Sequence, residues 1–287
     1  MKTLYLDCFS GISGNMFVGM LLDGGVPFDA FSEAMKSLGL SGYRLLHEPV
    51  NKCGIEATHY NVILEEEERH HHDHHHDHHH DHHDDGHHDH HHHDADEHHA
   101  HAHHGAVDTA GHHHVHHHRG LKEIREIITS SPLSEKVKTT SLAVFQALGE
   151  AEAHVHGVPV ESVHFHEVGA IDCILDIVGT VWALEYAGIE RVLASPIHTG
   201  TGFVRCAHGV MPVPAPATAQ LLSGIPCYDT DIQGELVTPT GAALVKTLAS
   251  YVGTRPAEFI HHTTAYGAGT KDLTIPNVLR GFIGDMV

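Results

Sequence analysis

Thr3-Leu4-Tyr5-Leu6-Asp7-Cys8-Phe9, followed by Ser10-Gly11-Ile12-Ser13-Gly14, reads as a buried strand running into a tight turn. A helix then carries Met16, Phe17, Met20 and Leu21 on one face, and Gly24-Gly25 ends it. Working outward, Phe31, Ala34, Met35 and Leu38 mark a second short helix, with Gly39 placed to cap it. Two strands follow at residues 43–50 and 55–64, joined near Asn51-Lys52-Cys53-Gly54. From Leu121, with Ile124, Ile127 and Ile128, helical spacing returns. Ser131-Pro132 offers an N-cap and a first-turn proline for a helix to residue 153. Ile171, Ile174, Leu175, Val178, Val181 and Trp182 line a helix over residues 170–186, stopped by Gly188. Residues 191–194 read as a strand, 217–222 and 241–250 as helices, and 277–283 as a final strand. This alternation predicts an α/β fold, a mixed α+β sheet with helices, interrupted by a disordered His-rich insertion.

That insertion, residues 65–119, separates an N-terminal lobe (1–64) from a main lobe (120–287) and holds 28 of the 38 histidines. It opens with four glutamates and repeats His-His-His-Asp three times from His70 to Asp81, with His70, His71, His72, His74, His75 and His76 in the first two repeats. Neutral imidazole suits nickel, copper and zinc, and the interleaved carboxylates add charge and hard oxygen donors. Such a tract has almost no side chain able to build a core, so it is expected to be a disordered, multi-site metal collector rather than a linker without function. Its length, irregularity and internal position set it apart from a terminal expression tag.

The formal charge of -21 overstates the acidity of the folded part, because residues 65–119 hold fourteen acids, the four opening glutamates and ten among the histidines. With only 16 Lys and Arg, nucleic-acid binding is not expected. The five cysteines form no C-x-x-C pair, which argues against a disulfide framework and fits a reducing cytosol. The sequence shows neither a signal peptide's apolar region nor a run of 18 apolar residues, so a cytoplasmic protein without a membrane segment is expected.

His164-Phe165-His166-Glu167-Val168-Gly169-Ala170-Ile171-Asp172, with Asp176 four residues on, is the densest cluster of potential ligands outside the tract. In an extended segment His164 and His166 point the same way, and Asp172 and Asp176 share one helix face, opposite in character to the apolar stripe. Two imidazoles with nearby carboxylates suit a divalent ion that keeps open positions. The Ser10–Gly14 turn can present backbone N–H groups and hydroxyls to an anion at a helix N-terminus, though it is neither a P-loop nor a G-x-G-x-x-G fingerprint. His198 and His208 stand beside glycines, Thr238-Pro239-Thr240-Gly241 places hydroxyls just before a helix, and Tyr266–Asp272 reads as a flexible turn carrying Lys271. Met211–Pro216 reads as a polyproline-like connector. His154 and His156 sit at a helix end.

Asp7-Cys8-Phe9-Ser10-Gly11-Ile12-Ser13-Gly14-x-Met16, His164-Phe165-His166-Glu167-Val168-Gly169-Ala170-x-Asp172, Val213-Pro214-Ala215-Pro216-Ala217-Thr218, Thr238-Pro239-Thr240-Gly241, Tyr266-Gly267-Ala268-Gly269-Thr270 and Pro276-Asn277-Val278-Leu279-Arg280 occur in that order. Together they resemble the LarC family of nickel-insertion proteins over nearly all of the chain outside the tract. The resemblance implies a cytoplasmic enzyme that inserts Ni2+ into pyridinium-3,5-bisthiocarboxylic acid mononucleotide, forming carbon–nickel and sulfur–nickel bonds. It further implies that CTP is consumed with Mg2+ or Mn2+, at a site outside this chain. The implied partners are the mononucleotide, lactate racemase and its other maturation proteins, and the C-terminal domain into which longer members continue; an oligomer is compatible.

On this reading the tract hands Ni2+ to a site built around His164, His166, Glu167 and Asp172. Asp176, His198 and His208 are further metal candidates, and Asp7, Glu167 and Asp172 are the catalytic ones. Ser10, Gly11, Ser13, Gly14, Thr238, Thr240, Gly241 and Lys271 would hold the nucleotide. Asn15 stands where the family motif usually has Asp. A nickel or zinc storage protein without catalysis and a metal-dependent hydrolase are the competing readings.

Overall fold

The structure, a computed structural model, describes residues 1–65, 119–163, 165, 170–206 and 209–287. In chain order its elements are β1 (Lys2–Asp7), α1 (Gly14–Asp23), α2 (Phe28–Lys36), β2 (Tyr43–Lys52), β3 (Ile55–Leu64), α3 (Leu121–Ser130), α4 (Glu135–His156) and α5 (Ile171–Tyr186). Then come β4 (Arg191–Ala194), β5 (Ile197–His198), β6 (Phe203–Cys206), β7 (Gly209–Pro212), α6 (Pro216–Leu221) and β8 (Cys227–Tyr228). The chain closes with α7 (Pro239–Leu248), β9 (Ala249–Val252), β10 (Phe259–Ala268) and β11 (Val278–Met286).

β1 shows why a sheet forms here. Leu4 and Leu6 are fully buried in the main core, whereas Tyr5 between them belongs to a separate cluster with Leu193 and Phe259 on the other face. β1 pairs antiparallel with β11 and parallel with β4, and the full sheet runs β2-β3-β10-β11-β1-β4-β9. β10 is antiparallel to β11 and parallel to β3, and β4 is parallel to β9. Five strands therefore point one way, and β2 and β11 the other. Strands from residues 1–64 and from 120–287, expected as two lobes, sit side by side in this one sheet.

The helices supply the main core. α1 packs on β3, β10 and α5, and α4 packs on α3, α5, α6 and α7. Phe17, Phe31, Phe145 and Ile174 are buried where these layers meet. Burying that apolar surface is the principal force holding helices to sheet. Among the described residues no helix is long and apolar enough to cross a membrane.

Four local expectations are corrected. Ser131 is the C-cap of α3, and α4 opens instead at Ser134, whose side chain accepts from the Val137 N–H at 3.1 Å. Met211–Pro216 is not a polyproline connector: it spans the end of β7, a cis Val213–Pro214 bond and the first turn of α6. Tyr266, Gly267 and Ala268, read as part of a flexible turn, are paired in β10 with Arg280, Leu279 and Val278. Residues 249–250, read as the end of a helix, begin β9 because α7 stops at Leu248.

Candidate functional site

β1, β3 and β10 run in the same direction, and beyond their carboxyl ends lies a cavity of about 310 Å3. Ligands of open α/β sheets bind at such ends, where backbone groups are free of the ladder. Three helices begin on its wall. α1 starts at Gly14, where Ser13 Oγ accepts from the Met16 N–H at 3.4 Å and donates to Asn15 Oδ1. α7 starts at Pro239, and Thr238 Oγ1 accepts from the Gly241 N–H at 3.2 Å. α5 starts at Ile171 and brings Asp172, Cys173 and Asp176 to the same wall. Asn61, Glu235 and Thr270 complete it. Each helix start carries partial positive charge, and that of α5 has no side-chain cap on its N–H groups, so three together favour an anion.

Set among these positive ends is a carboxylate pair. Asp176 is half-buried on the cavity wall: its Oδ1 is shielded from solvent with no partner, and the Asn15 backbone N–H donates to the carboxyl. Burial pushes its pKa well above the usual carboxylate range, and the nearby Asp172 charge adds to the rise. A Cβ on Gly14 would lie 2.5 Å from Asp176 Oδ2, so only glycine lets α1 start this close to the carboxyl. Burial also raises the Cys173 thiol, whose Sγ is 3.3 Å from Thr240 Oγ1.

The structure brings Ser13, Gly14, Thr238, Thr240, Asp172 and Asp176 together on this cavity. Other expected site residues take different places. Gly11 abuts the Leu236 carbonyl and Gly241 the Ile12 carbonyl, so both lock the β1–α1 turn to the α7 start. Ser10 is fully buried, and its Oγ has no protein partner. Lys271 donates to the Glu235 carbonyl at 3.4 Å beside the cavity. Asp7 is held by Arg280, whose guanidinium also lies over the rings of Phe9 and Phe282. His198 uses both ring nitrogens, at 2.7 Å from the Phe9 carbonyl and 3.0 Å from Thr230 Oγ1, and stacks on Tyr228. That geometry makes it a bracket between loops. His164, His166, Glu167, His208 and the tract histidines His70, His71, His72, His74, His75 and His76 lie outside the described residues. Among the described residues, no three His, Cys, Asp or Glu side chains group as a metal site.

A second cavity, of about 380 Å3, adjoins the first through Glu235 and Pro239. His156 and Glu152, 3.5 Å apart, line it with Arg205 and Met211. Sequence reasoning assigned no role to Asn61, Cys173 or Tyr60. Cys173 follows Asp172, and helical spacing from the apolar stripe was the only cue to it. Asn61 and Tyr60 are ordinary residues of an alternating strand, and nothing in the sequence links them to α5.

Fold and cavity define a class: a mixed-sheet α/β protein whose acidic pair is set among three helix N-termini, with electrostatics that favour an anion beside a cation. The chain belongs to the nickel insertion protein family, whose model matches residues 4–286. A relative from Desulfitobacterium hafniense (strain DSM 10664 / DCB-2) is 43% identical over 286 residues, covering 100% of this chain and 59% of its own. One from Clostridium acetobutylicum is 44% identical over 286 residues, covering 99% and 64%, and one from Geobacillus kaustophilus is 43% identical over 288 residues, covering 99% and 60%. All three are named pyridinium-3,5-bisthiocarboxylic acid mononucleotide nickel insertion protein. The chain thus spans about three-fifths of the length of the curated relatives it matches. No solved structure matches it.

Proposed function

We propose that this chain brings Ni2+ and pyridinium-3,5-bisthiocarboxylic acid mononucleotide together in the cavity at the carboxyl ends of β1, β3 and β10. There it inserts the metal to form the nickel-pincer cofactor used by lactate racemase. The observation that carries this reading is the convergence of three helix N-termini around the Asp172–Asp176 pair. The substrate is an anion with a phosphate and two thiocarboxylates, which helix ends attract; Ni2+ is a cation, which the carboxylates attract. The relatives' names supply the substrate's identity.

In this reading the tract collects Ni2+ in the cytoplasm and passes it to His164 and His166, whose imidazoles are suitable donors. Ser13, Thr238 and Thr240 hold the mononucleotide by their hydroxyls and helix-start N–H groups, with Lys271 beside them. Metallating the ring carbon breaks a C–H bond, so a base must stand at the cavity. Asp172 and Asp176 are the carboxylates there. CTP with Mg2+ or Mn2+ would bind at a site outside this chain. The mature racemase and its other maturation proteins are the downstream partners.

Anaerobic incubation of the chain with Ni2+, the mononucleotide, CTP and Mg2+ or Mn2+ tests this, with the nickel adduct read by mass. Formation of the adduct, lost in Asp172→Asn and Asp176→Asn, supports the proposal. Nickel uptake with no adduct under every combination would instead identify a storage protein.

A further inference from the structure

The turn between β2 and β3, Asn51-Lys52-Cys53-Gly54, grips the loop between β10 and β11. Lys52 Nζ donates to Asp272 Oδ1 at 2.7 Å and to the carbonyls of Thr270 and Lys271, both at 3.4 Å. The lysine side chain is only 13% exposed, so its stem lies against protein while its ammonium meets three acceptors of one loop. Cys53 Sγ donates to the Leu273 carbonyl at 3.7 Å. The loop is also tied within itself. The Gly269 N–H donates to the Asn277 carbonyl at 2.9 Å, and Asn277 Nδ2 to the Lys271 carbonyl at 2.8 Å.

The backbone of the turn points to the same grip. Lys52 pairs with Ile55, which leaves Cys53 and Gly54 as a two-residue hairpin loop with φ of 52° and 88°. Two left-handed residues in such a loop favour Asn or Gly at the first position. Cys53 is the one non-glycine residue with positive φ among the described residues, and its side chain spends that backbone cost on the contact to Leu273.

The gripped loop reaches the cavity. Thr270 stands on its wall, and Lys271, which is exposed, donates to the carbonyl of Glu235, a residue shared by the walls of both cavities. At 3.4 Å from a neutral oxygen, that bond is long and weak. A bond from the same ammonium to an anion is shorter and about twice as strong. Resting on the mononucleotide reading above, we propose that Lys52 and Cys53 are positioning residues: they hold the β10–β11 loop so that Lys271 stands ready to leave the Glu235 carbonyl for an anionic group of the nucleotide.

The two lysines then have separate tasks. Lys52 spends its charge inside the protein, on two loop carbonyls and Asp272, and by engaging Asp272 it keeps a neighbouring carboxylate from competing for Lys271. Lys271 remains available to a ligand. No covalent bond changes in this step, so the effect falls on nucleotide affinity rather than on the metallation of the ring carbon.

Hydrogen exchange on the full, ligand-free chain tests the grip. Lys52→Met keeps the apolar stem and removes the ammonium, so amides of residues 269–277 should exchange roughly threefold to tenfold faster. Lys52→Arg should restore the wild-type rate. Cys53→Gly allows the same φ without the thiol and should also speed exchange in that segment. Melting temperature should hold in all three. Unchanged exchange in Lys52→Met overturns the grip, and unchanged exchange in Cys53→Gly removes Cys53 from it. Faster exchange throughout the sheet with a lower melting temperature would mean a folding role instead. Titration with the mononucleotide, without Ni2+ or CTP, tests the purpose. Wild type should bind with slower exchange at residues 269–277, and Lys271→Met should lose affinity roughly tenfold. Lys52→Met should lose it roughly threefold to tenfold, raising KM with kcat held, and Lys52→Arg should recover it. Equal affinity in Lys271→Met and wild type overturns the role given to Lys271. No binding by the wild-type chain, with loop exchange behaving as expected, counts against the placement of the mononucleotide and not against the grip.

Discussion

Replacing Asp176 by asparagine should make the folded protein more stable at neutral pH, and by an amount that grows with pH. Its Oδ1 is shielded from solvent with no partner, and burial with the Asp172 charge raises its pKa well above the ordinary range. Once pH exceeds the ordinary carboxylate value, the unfolded chain releases the Asp176 proton while the folded chain keeps it. The folded state then binds one more proton than the unfolded state, so stability falls as pH rises through that window and levels off only above the raised value. One proton's difference corresponds to about 1.4 kcal/mol per pH unit. Asparagine has the same shape, still offers an oxygen to the Asn15 N–H, and cannot ionise. Urea denaturation of wild type and Asp176→Asn from roughly pH 5 to pH 7 isolates the effect, because histidine titrations are common to both chains. Cys8, Cys173 and Tyr60 are also raised by burial, but from values already above that window, so they do not interfere. The stability difference should shift in favour of asparagine across the range by up to about 1.4 kcal/mol per unit. Two curves that stay parallel would show that Asp176 ionises as freely in the fold as out of it.

Three further outcomes follow from the same geometry. Gly14→Ala puts a Cβ 2.5 Å from Asp176 Oδ2 and should cost about 1–3 kcal/mol, seen as a lower denaturation midpoint; an unchanged midpoint would mean that α1 can back away freely. Ser134→Ala removes the cap on the Val137 N–H and should cost about 1 kcal/mol, again by denaturation. His198→Ala breaks its two hydrogen bonds and should cost about 1–3 kcal/mol. In a chain whose tract is replaced by Gly/Ser, the same substitution should leave nickel stoichiometry unchanged, and a loss of one nickel would restore His198 as a ligand.

How far the chain could be read in advance depended on which signals are local. The β1–α1 unit was legible because Leu4 and Leu6 alternate with Tyr5, and Ser13 and Gly24 bound the helix. β10 was not, because Ile260, His261, His262, Thr263 and Thr264 form an exposed run on a strand whose place is set by backbone pairing with β11. The Ser131-Pro132 pair drew the reading three residues too early, because Ser131 ends α3 and the cap of α4 is Ser134. The four-residue spacing of Asp172 and Asp176 implied one shared face. That face was read as the polar side of α5, yet Asp172 is exposed while Asp176 is half-buried with Oδ1 shielded, because the start of α1 comes up against its carboxyl at Gly14. Such a closure is a long-range contact, and no periodicity announces it. The same holds for the meeting of three helix starts, since the Ser13 and Thr238 caps are local features while their convergence with the uncapped start of α5 requires the sheet order.

Nickel-edge anomalous diffraction from a crystal of the chain grown with Ni2+ and the mononucleotide tests the central claim most directly. The account predicts an anomalous peak within the cavity, with the pyridinium ring beside Asp176 and the phosphate at a helix start. A substrate bound elsewhere, or a cavity without nickel while the metal sits on the nucleotide at another surface, would contradict it.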